Sequence, residues 1–224
     1  MPDPLFHTDR PTTLIGGSET ARFVLETALS HAPVLVAADG GADKALTLNH
    51  RPVAIMGDMD SLTNRQTWRN SDIKMYPIGD QDTTDFEKCL EYVQAPLLLA
   101  CGFTGGRVDH TLAVMAALYR YRARPVIVLS RTDLVLHWPD DLVLDLPTGT
   151  RVSFHPVVPV AGLGSTGLAW DLAGLHLAPG GLLGTSNRAT GGPVSARFEA
   201  PGALGILPLE HLPQVVAALS IRAR

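Results

Sequence analysis

The sequence predicts two parts in series: an α/β domain over residues 1–131, with a mostly parallel open sheet and helices on both faces, and an all-β domain over residues 132–224. Three observations carry this. Short runs that are apolar on both faces recur at 12–15, 34–38, 53–56, 73–76, 97–100 and 126–129, as strands buried on both sides do. Between them lie segments of helical spacing, the clearest being Val108, Leu112, Met115 and Tyr119, and Phe86, Leu90 and Val93. Strand, helix, strand at this rhythm reads as right-handed βαβ units. After about residue 131 the texture changes to alternating stretches at 134–137, 142–146, 152–158 and 194–198, broken by Pro and Gly turns. A helical pattern returns only at 209–219.

A chain of 224 residues buries roughly 70% of its unfolded surface and needs no covalent staples. Its formal charge of -4, with no basic stripe, argues against a nucleic-acid partner. Residues 1–110 hold 15 acids and 9 bases, whereas residues 111–224 hold 7 and 9, so the acidity is local. Asp outnumbers Glu 16 to 6, and nine of these Asp fall between Asp39 and Asp109. Asp is a poor helix former that collects in caps, turns and hard-metal sites, so loops in the first half have a job. Cys89 and Cys101 show no metal or redox spacing and read as reduced thiols. The first residues lack the features of a secretory leader, and no apolar run approaches a membrane span, so a cytoplasmic protein without membrane partners is expected.

Polar residues gather just after the expected strands. Asp39-Gly40-Gly41-Ala42 follows the second, Gly57-Asp58-Met59-Asp60-Ser61 the third, and Gly105-Gly106-Arg107-Val108-Asp109-His110 comes a few residues after the fifth. In an open parallel sheet these places share the edge at the carboxyl ends of the strands, where such folds bind ligands. Gly40 and Gly41 let the backbone approach phosphate oxygens. Asp58 and Asp60 form a DxD pair whose side chains, at i and i+2 of an extended segment, face one way about 6.5 Å apart at Cα. Two such carboxylates suit Mg2+ bridging a nucleotide; the same pair also suits a turn that caps a helix. In Gln81-Asp82-Thr83-Thr84-Asp85-Phe86-Glu87-Lys88, Thr84 and Glu87 form a capping box that puts Asp85 in a first helical turn, where a carboxylate serves the helix dipole or completes a metal shell. Arg107 can present its guanidinium to a phosphate, with Asp109 opening a helix, and His110 reads as a surface histidine.

Gly162-Leu163-Gly164-Ser165-Thr166-Gly167 matches a dinucleotide fingerprint only in letters, because no helix follows it. No Walker A lysine, HExxH or GxSxG motif is present. Trp170 reads either as core or as a flat face for an aromatic or cationic ligand, and Ser186-Asn187 as a turn.

Taken in order, Ala38-Asp39-Gly40-Gly41-Ala42, Gly57-Asp58-Met59-Asp60-Ser61, Gln81 to Lys88, Gly105 to His110, Gly167-Leu168-Ala169-Trp170 and Thr185-Ser186-Asn187 resemble the thiamine pyrophosphokinase family over most of the chain. The resemblance implies a catalytic domain that binds ATP and Mg2+, followed by a β-sandwich that binds thiamine and makes a homodimer. It implies transfer of a diphosphoryl group from ATP to the thiamine hydroxyl, giving thiamine diphosphate and AMP. By that resemblance Asp58, Asp60 and Asp85 bind Mg2+ and, with Asp109, form the catalytic set. Asp39, Gly40, Gly41, Gln81 and Arg107 meet ATP and its phosphates, and Trp170, Ser186 and Asn187 hold thiamine. The family's Lys before the aromatic residue is Ala169 here, which moves any role of that Lys elsewhere, to Lys44 or Arg188. The alternatives from the residues are a DxD sugar-nucleotide transferase and a non-catalytic nucleotide- or thiamine-binding protein.

Overall fold

The computed structural model describes residues 3–63, 65–69 and 71–222. The chain divides into two compact units, Met1–Ala117 with Ala123–Arg131, and Leu118–Arg122 with Thr132–Arg224.

The first unit alternates strands and helices: β1 (Phe6–His7), β2 (Thr12–Ile15), α1 (Arg22–His31), β3 (Val34–Ala38), α2 (Gly41–Thr47), β4 (Ala54–Gly57), α3 (Arg65–Arg69), β5 (Lys74–Pro77), α4 (Asp85–Tyr92), β6 (Val93–Gln94), β7 (Leu98–Cys101), α5 (Val108–Arg120) and β8 (Val126–Leu129). β2, β7 and β8 pair in parallel in the order β8-β7-β2, and β3, β4 and β5 in the order β3-β4-β5. A bridge from Thr12 to Pro33, and the Thr13 hydroxyl donating to the Ala32 carbonyl (2.6 Å), tie β2 to the start of β3. β2, β4 and β7 are buried at every position, with Leu14, Ile15, Ile55, Leu98 and Leu99 fully enclosed, as a sheet covered on both faces requires. Gly41 explains how closely α2 packs: a Cβ there would stand 2.1 Å from the Ile15 carbonyl oxygen.

Three expected strands are displaced by one residue toward the C-terminus; Val53, for instance, is exposed and β4 begins at Ala54. The expected face of α5 is wrong. Val108 (72% exposed) and Leu112 (64%) point to solvent, and the buried residues are Val114, Ala117 and Leu118. The helix is apolar at so many positions that two stripes fit the period, and spacing does not choose between them.

The second unit contains β9 (Asp133–His137), β10 (Val143–Leu146), β11 (Arg151–Pro156), β12 (Val160–Thr166), β13 (His176–Leu177), β14 (Gly184–Arg188), β15 (Gly192–Phe198) and β16 (Ala203–Pro208), then a 3-10 turn (Leu209–His211) and α6 (Leu212–Arg222). Its antiparallel strands order as β14-β11-β16-β9 and β10-β15-β12-β13. Phe154 of β11 and Phe198 of β15 meet edge-on at 5.6 Å between centroids, so the two layers share one core. Trp138 packs on Phe154 at 5.1 Å, and its indole N–H reaches the Ala196 carbonyl (3.1 Å). Gly205 leaves room for that ring, since a Cβ would lie 2.4 Å from Trp138 Cε3. Glycines inside β12 and β16, and the short polar run of β14, break the alternation pattern from which strands are read. The set-aside glycine repeat runs from within β12 to Gly167 just beyond it, with a bulge between Gly162 and Gly164.

Candidate active site

In the first unit the chain leaves β2 and runs through α1 to β3, then on to β4 and β5, while β7 lies on the other side of β2. The connections therefore diverge at β2, a topological switch point, and a crevice opens outside the carboxyl ends there. A cavity of about 510 Å³ occupies it, lined by Gly16, Gly17 and Ser18 after β2, Asp39 and Gly40 after β3, and Gly102 and Phe103 after β7. Lys44, Asp85, Arg107 and His110 also face it.

Beside this cavity, Asp39, Asp58 and Asp60 bring one carboxylate oxygen each within 4.8 Å of one another. The backbone is bent to do this. Asp39 (φ 43°) and Met59 (φ 68°) sit in the left-handed region, two of the four non-glycine residues that do so among the described residues. Such strain concentrates where function over-determines geometry. Gly57 (φ 140°) is required as well, because a Cβ there would stand 2.9 Å from Asp39 Cβ and 3.1 Å from Asp85 Oδ1. Asp39 is 1% exposed; its Oδ2 accepts from the Ser61 amide (3.0 Å), and its Oδ1 is buried without a hydrogen-bond partner. Burial pushes its pKa up to about 6, with Asp85 and Asp58 adding to the rise and the Ser61 hydrogen bonds opposing it.

The capping box forms as expected: the Glu87 amide donates to Thr84 Oγ1, and Glu87 Oε2 accepts from the Thr84 amide (3.0 Å). This delivers Asp85 at the first residue of α4 and Lys88 one turn along its inner side. Lys88 Nζ lies 3.3 Å from Asp85 Oδ1 and 3.5 Å from Asp58 Oδ2, with its side chain 3% exposed. Gln81 Nε2 also reaches Asp58 Oδ2 (3.4 Å), and Asp58 Oδ1 accepts from the Asp60 amide (3.1 Å). For Asp58, burial works upward, but the Asp60 amide and Lys88 outweigh it and hold the carboxyl below its ordinary range. At Asp85 burial wins and the pKa is raised despite Lys88. Burial would lower the Lys88 pKa, but Asp85 and Asp58 raise it further, so the ammonium stays charged.

Arg107 and Asp109 grip each other in a two-toothed pair, Nε to Oδ1 (3.1 Å) and Nη2 to Oδ2 (2.6 Å), both well exposed. Arg107 reaches the cavity; Asp109 is turned onto Arg107 and the His110 amide, apart from the three-carboxylate cluster. Both cysteines are buried, and burial pushes their thiols up, that of Cys101 to about 12, so neither offers a thiolate.

In the second unit Trp170 is 55% exposed, with the Arg188 guanidinium 5.1 Å from its ring centroid. Asn187 on β14 is buried and spends its amide on backbone: Nδ2 donates to the Trp170 carbonyl (2.7 Å), while Oδ1 accepts from the Trp170 (3.2 Å) and Arg188 (2.8 Å) amides. Ser186, left-handed at φ 64°, is exposed, and its amide donates to Ser153 Oγ (3.0 Å). Asn187 thus fixes the segment that carries the ring.

Two parts of the site carry no motif in the sequence: Gly16-Gly17-Ser18 and Asp43. Asp43 accepts from the Trp68 indole (2.8 Å) and from the amide and hydroxyl of Thr63 (2.7 and 2.8 Å), tying the segment after the DxD pair to α2. The only sequence signal for either was position, immediately after a strand or one turn into a helix that follows one.

Comparison with known proteins adds an independent line. Residues 25–129 match the family model for the thiamin pyrophosphokinase catalytic domain, and residues 137–201 the model for its vitamin B1 binding domain. Thiamine pyrophosphokinase 1 of Arabidopsis thaliana is 30% identical over 190 residues, covering 70% of this chain and 71% of that protein. Thiamin pyrophosphokinase 1 of Caenorhabditis elegans is 31% identical over 174 residues, covering 69% and 71%. The crystal structure of thiamin pyrophosphokinase from Geobacillus thermodenitrificans superposes with a TM-score of 0.71 at 25% identity, over 88% of this chain and 96% of that one. With both family models matched in order across most of its length, the chain belongs to the thiamine pyrophosphokinase family.

Proposed function

We propose that this protein transfers the diphosphoryl group of ATP to the hydroxyl of thiamine, giving thiamine diphosphate and AMP. The observation that carries the reading is the juxtaposition, in the unit matched to the catalytic domain, of a crevice of about 510 Å³ at the sheet's switch point with three converging carboxylates. ATP lies in the crevice with its phosphates against Gly40 and Arg107, which line it, the latter held in orientation by Asp109, while the family likeness adds Gly41, packed behind Gly40, and Gln81, beside Asp58. Thiamine meets Trp170 and the exposed Ser186 in the unit matched to the vitamin B1 binding domain, on a segment that Asn187 holds in shape. Residues 1–131 then serve as the catalytic domain and residues 132–224 as the thiamine-binding and dimerisation domain.

The donor set suits Mg2+: every candidate ligand is a carboxylate oxygen, and Asp39 Oδ1 is buried with no partner from the protein. Asp58 and Asp60 would hold the ion with Asp39 beside them and Asp85 across Lys88. When bound, Mg2+ neutralises charge on the phosphate chain. What this chain contributes is alignment of hydroxyl and phosphate and a fixed arrangement of charge, which is most of what such a transfer needs.

The family likeness supports a homodimer, and the exposure of Trp170, Leu163, Leu182 and Leu183 on the second unit is in keeping with one. Among the described residues no helix is long and apolar enough to cross a membrane. Two buried free thiols suit the cytoplasm. A sugar-nucleotide transferase leaves Asp85 and the second unit unexplained. Incubation with ATP, Mg2+ and thiamine should release AMP and thiamine diphosphate in equal amounts. ADP as the nucleotide product, or thiamine binding without turnover, would overturn the reading.

A further inference from the structure

Lys88 is placed where a lysine is costly twice over. Its side chain is 3% exposed, and it stands one turn into α4, in the N-terminal half where the helix dipole disfavours a cation. Buried ion pairs are weak contributors to stability, and an unbranched apolar side chain could fill the same space. The position is therefore explained by what the ammonium touches: Asp85 Oδ1 at 3.3 Å and Asp58 Oδ2 at 3.5 Å, one oxygen of each carboxylate. The other oxygen of Asp58 is fixed by the Asp60 amide, so Lys88 and that amide together set the plane of the Asp58 carboxylate. The same contact puts a positive charge against the wall of an acid cluster that would otherwise present Asp39, Asp58, Asp60 and Asp85 with no internal counter-charge from α4.

We propose that Lys88 is a positioning residue: an internal counter-ion that orients Asp58 and Asp85 and, being itself a cation beside the acid cluster, lowers the cluster's affinity for a free divalent ion. This rests on the reading of the cluster as a metal-phosphate site. Removing a like charge a few ångströms from a bound cation strengthens its binding, because Coulomb repulsion at that range is large even in a polar protein interior. Removing the group that orients two carboxylates slows the reaction. A residue that only filled space would produce neither effect, and one that only stabilised the fold would leave ion affinity unchanged.

The test measures Mn2+ binding by electron paramagnetic resonance without nucleotide, on the wild-type chain and on Lys88→Met, Lys88→Gln and Lys88→Arg, together with AMP formation. The two neutral variants should bind Mn2+ at least tenfold more tightly and show a lower kcat, while Lys88→Arg stays within threefold of wild type in affinity. If a neutral variant folds poorly, Mn2+ should restore its folding at concentrations that leave the wild-type melting temperature unmoved. Folded neutral variants that bind Mn2+ as wild type does, or more weakly, overturn the proposal; so does a poorly folded variant that Mn2+ fails to rescue, or a wild-type chain with no Mn2+ site. A wild-type chain that binds Mn2+ but makes no AMP from ATP and thiamine would instead refute the proposed reaction and leave the Lys88 comparison standing on affinity alone.

Discussion

The acid cluster of the first unit and the Trp170 segment of the second solve opposite problems. Around Asp39 the chain stores unfavourable arrangements: two left-handed non-glycine residues, a buried carboxylate oxygen with no partner and a buried lysine between two acids. Around Trp170 the backbone is satisfied, with both ends of the Asn187 amide spent on holding the segment, and one aromatic face is left to the outside. The contrast marks where charge chemistry is expected. A group whose partner is missing from the chain awaits a ligand of opposite charge, whereas a satisfied loop with an exposed ring is ready to recognise a flat one.

The largest effect that sharpens this contrast is expected from Asp58→Asn, which should lower kcat on the order of 10³-fold while leaving the melting temperature within a few degrees. Near-normal turnover would break the assignment of chemistry to the acid cluster. Gly57→Ala should come next. Its φ of 140° and the 2.9 Å approach of Asp39 Cβ leave no room for a methyl, so a loss of about 3 kcal/mol in stability, read by urea unfolding, is expected along with lost activity. Asn187→Ala should act on recognition instead: the KM for thiamine rises roughly tenfold with kcat little changed, and about 1–3 kcal/mol of stability is lost as the Trp170 backbone groups lose their partner. An effect on kcat alone would erase the distinction between the regions.

The smallest effect concerns pH. Asp39 is raised from 3.8 to about 6, so the folded chain binds this proton more tightly than the unfolded chain does. The stability it contributes is full below about pH 4 and is lost as pH rises through about 6. Asp85, also raised, acts in the same sense, whereas Asp58, lowered, opposes it. In EDTA the melting temperature should therefore carry a fall between about pH 4 and pH 6 that saturating Mg2+ reduces and that Asp39→Asn makes smaller; identical profiles with and without the ion would count against a metal at Asp39.

Most of the α/β part was legible because its strands are continuous apolar runs and its polar motifs fall at one edge. The capping box at Thr84 and Glu87 was legible for a local reason: both partners lie within one turn. The second unit was less so, since the glycines of β12 and β16 that admit neighbouring groups also break the alternation from which strands are read. Within the site, motif spacing suggested Asp58 and Asp60 but not that Asp39 would join them, nor that Asp85 would be separated from them by Lys88. Those relations depend on the register of β3 against β4 and on which side α4 turns inward, and neither is written in local sequence. Asn187 reads as a ligand contact by likeness alone; its burial and its backbone partners, which make it a brace for the Trp170 segment as well, have no signal in local sequence.

The separation of the two regions is tested most directly by measuring Mn2+ and thiamine binding, each alone, on the wild-type chain, Asp58→Asn and Asn187→Ala. A crossed pattern is expected: Asp58→Asn loses Mn2+ and keeps thiamine, and Asn187→Ala loses thiamine and keeps Mn2+. Loss of both ligands in either folded variant, or loss of Mn2+ in Asn187→Ala, would contradict it.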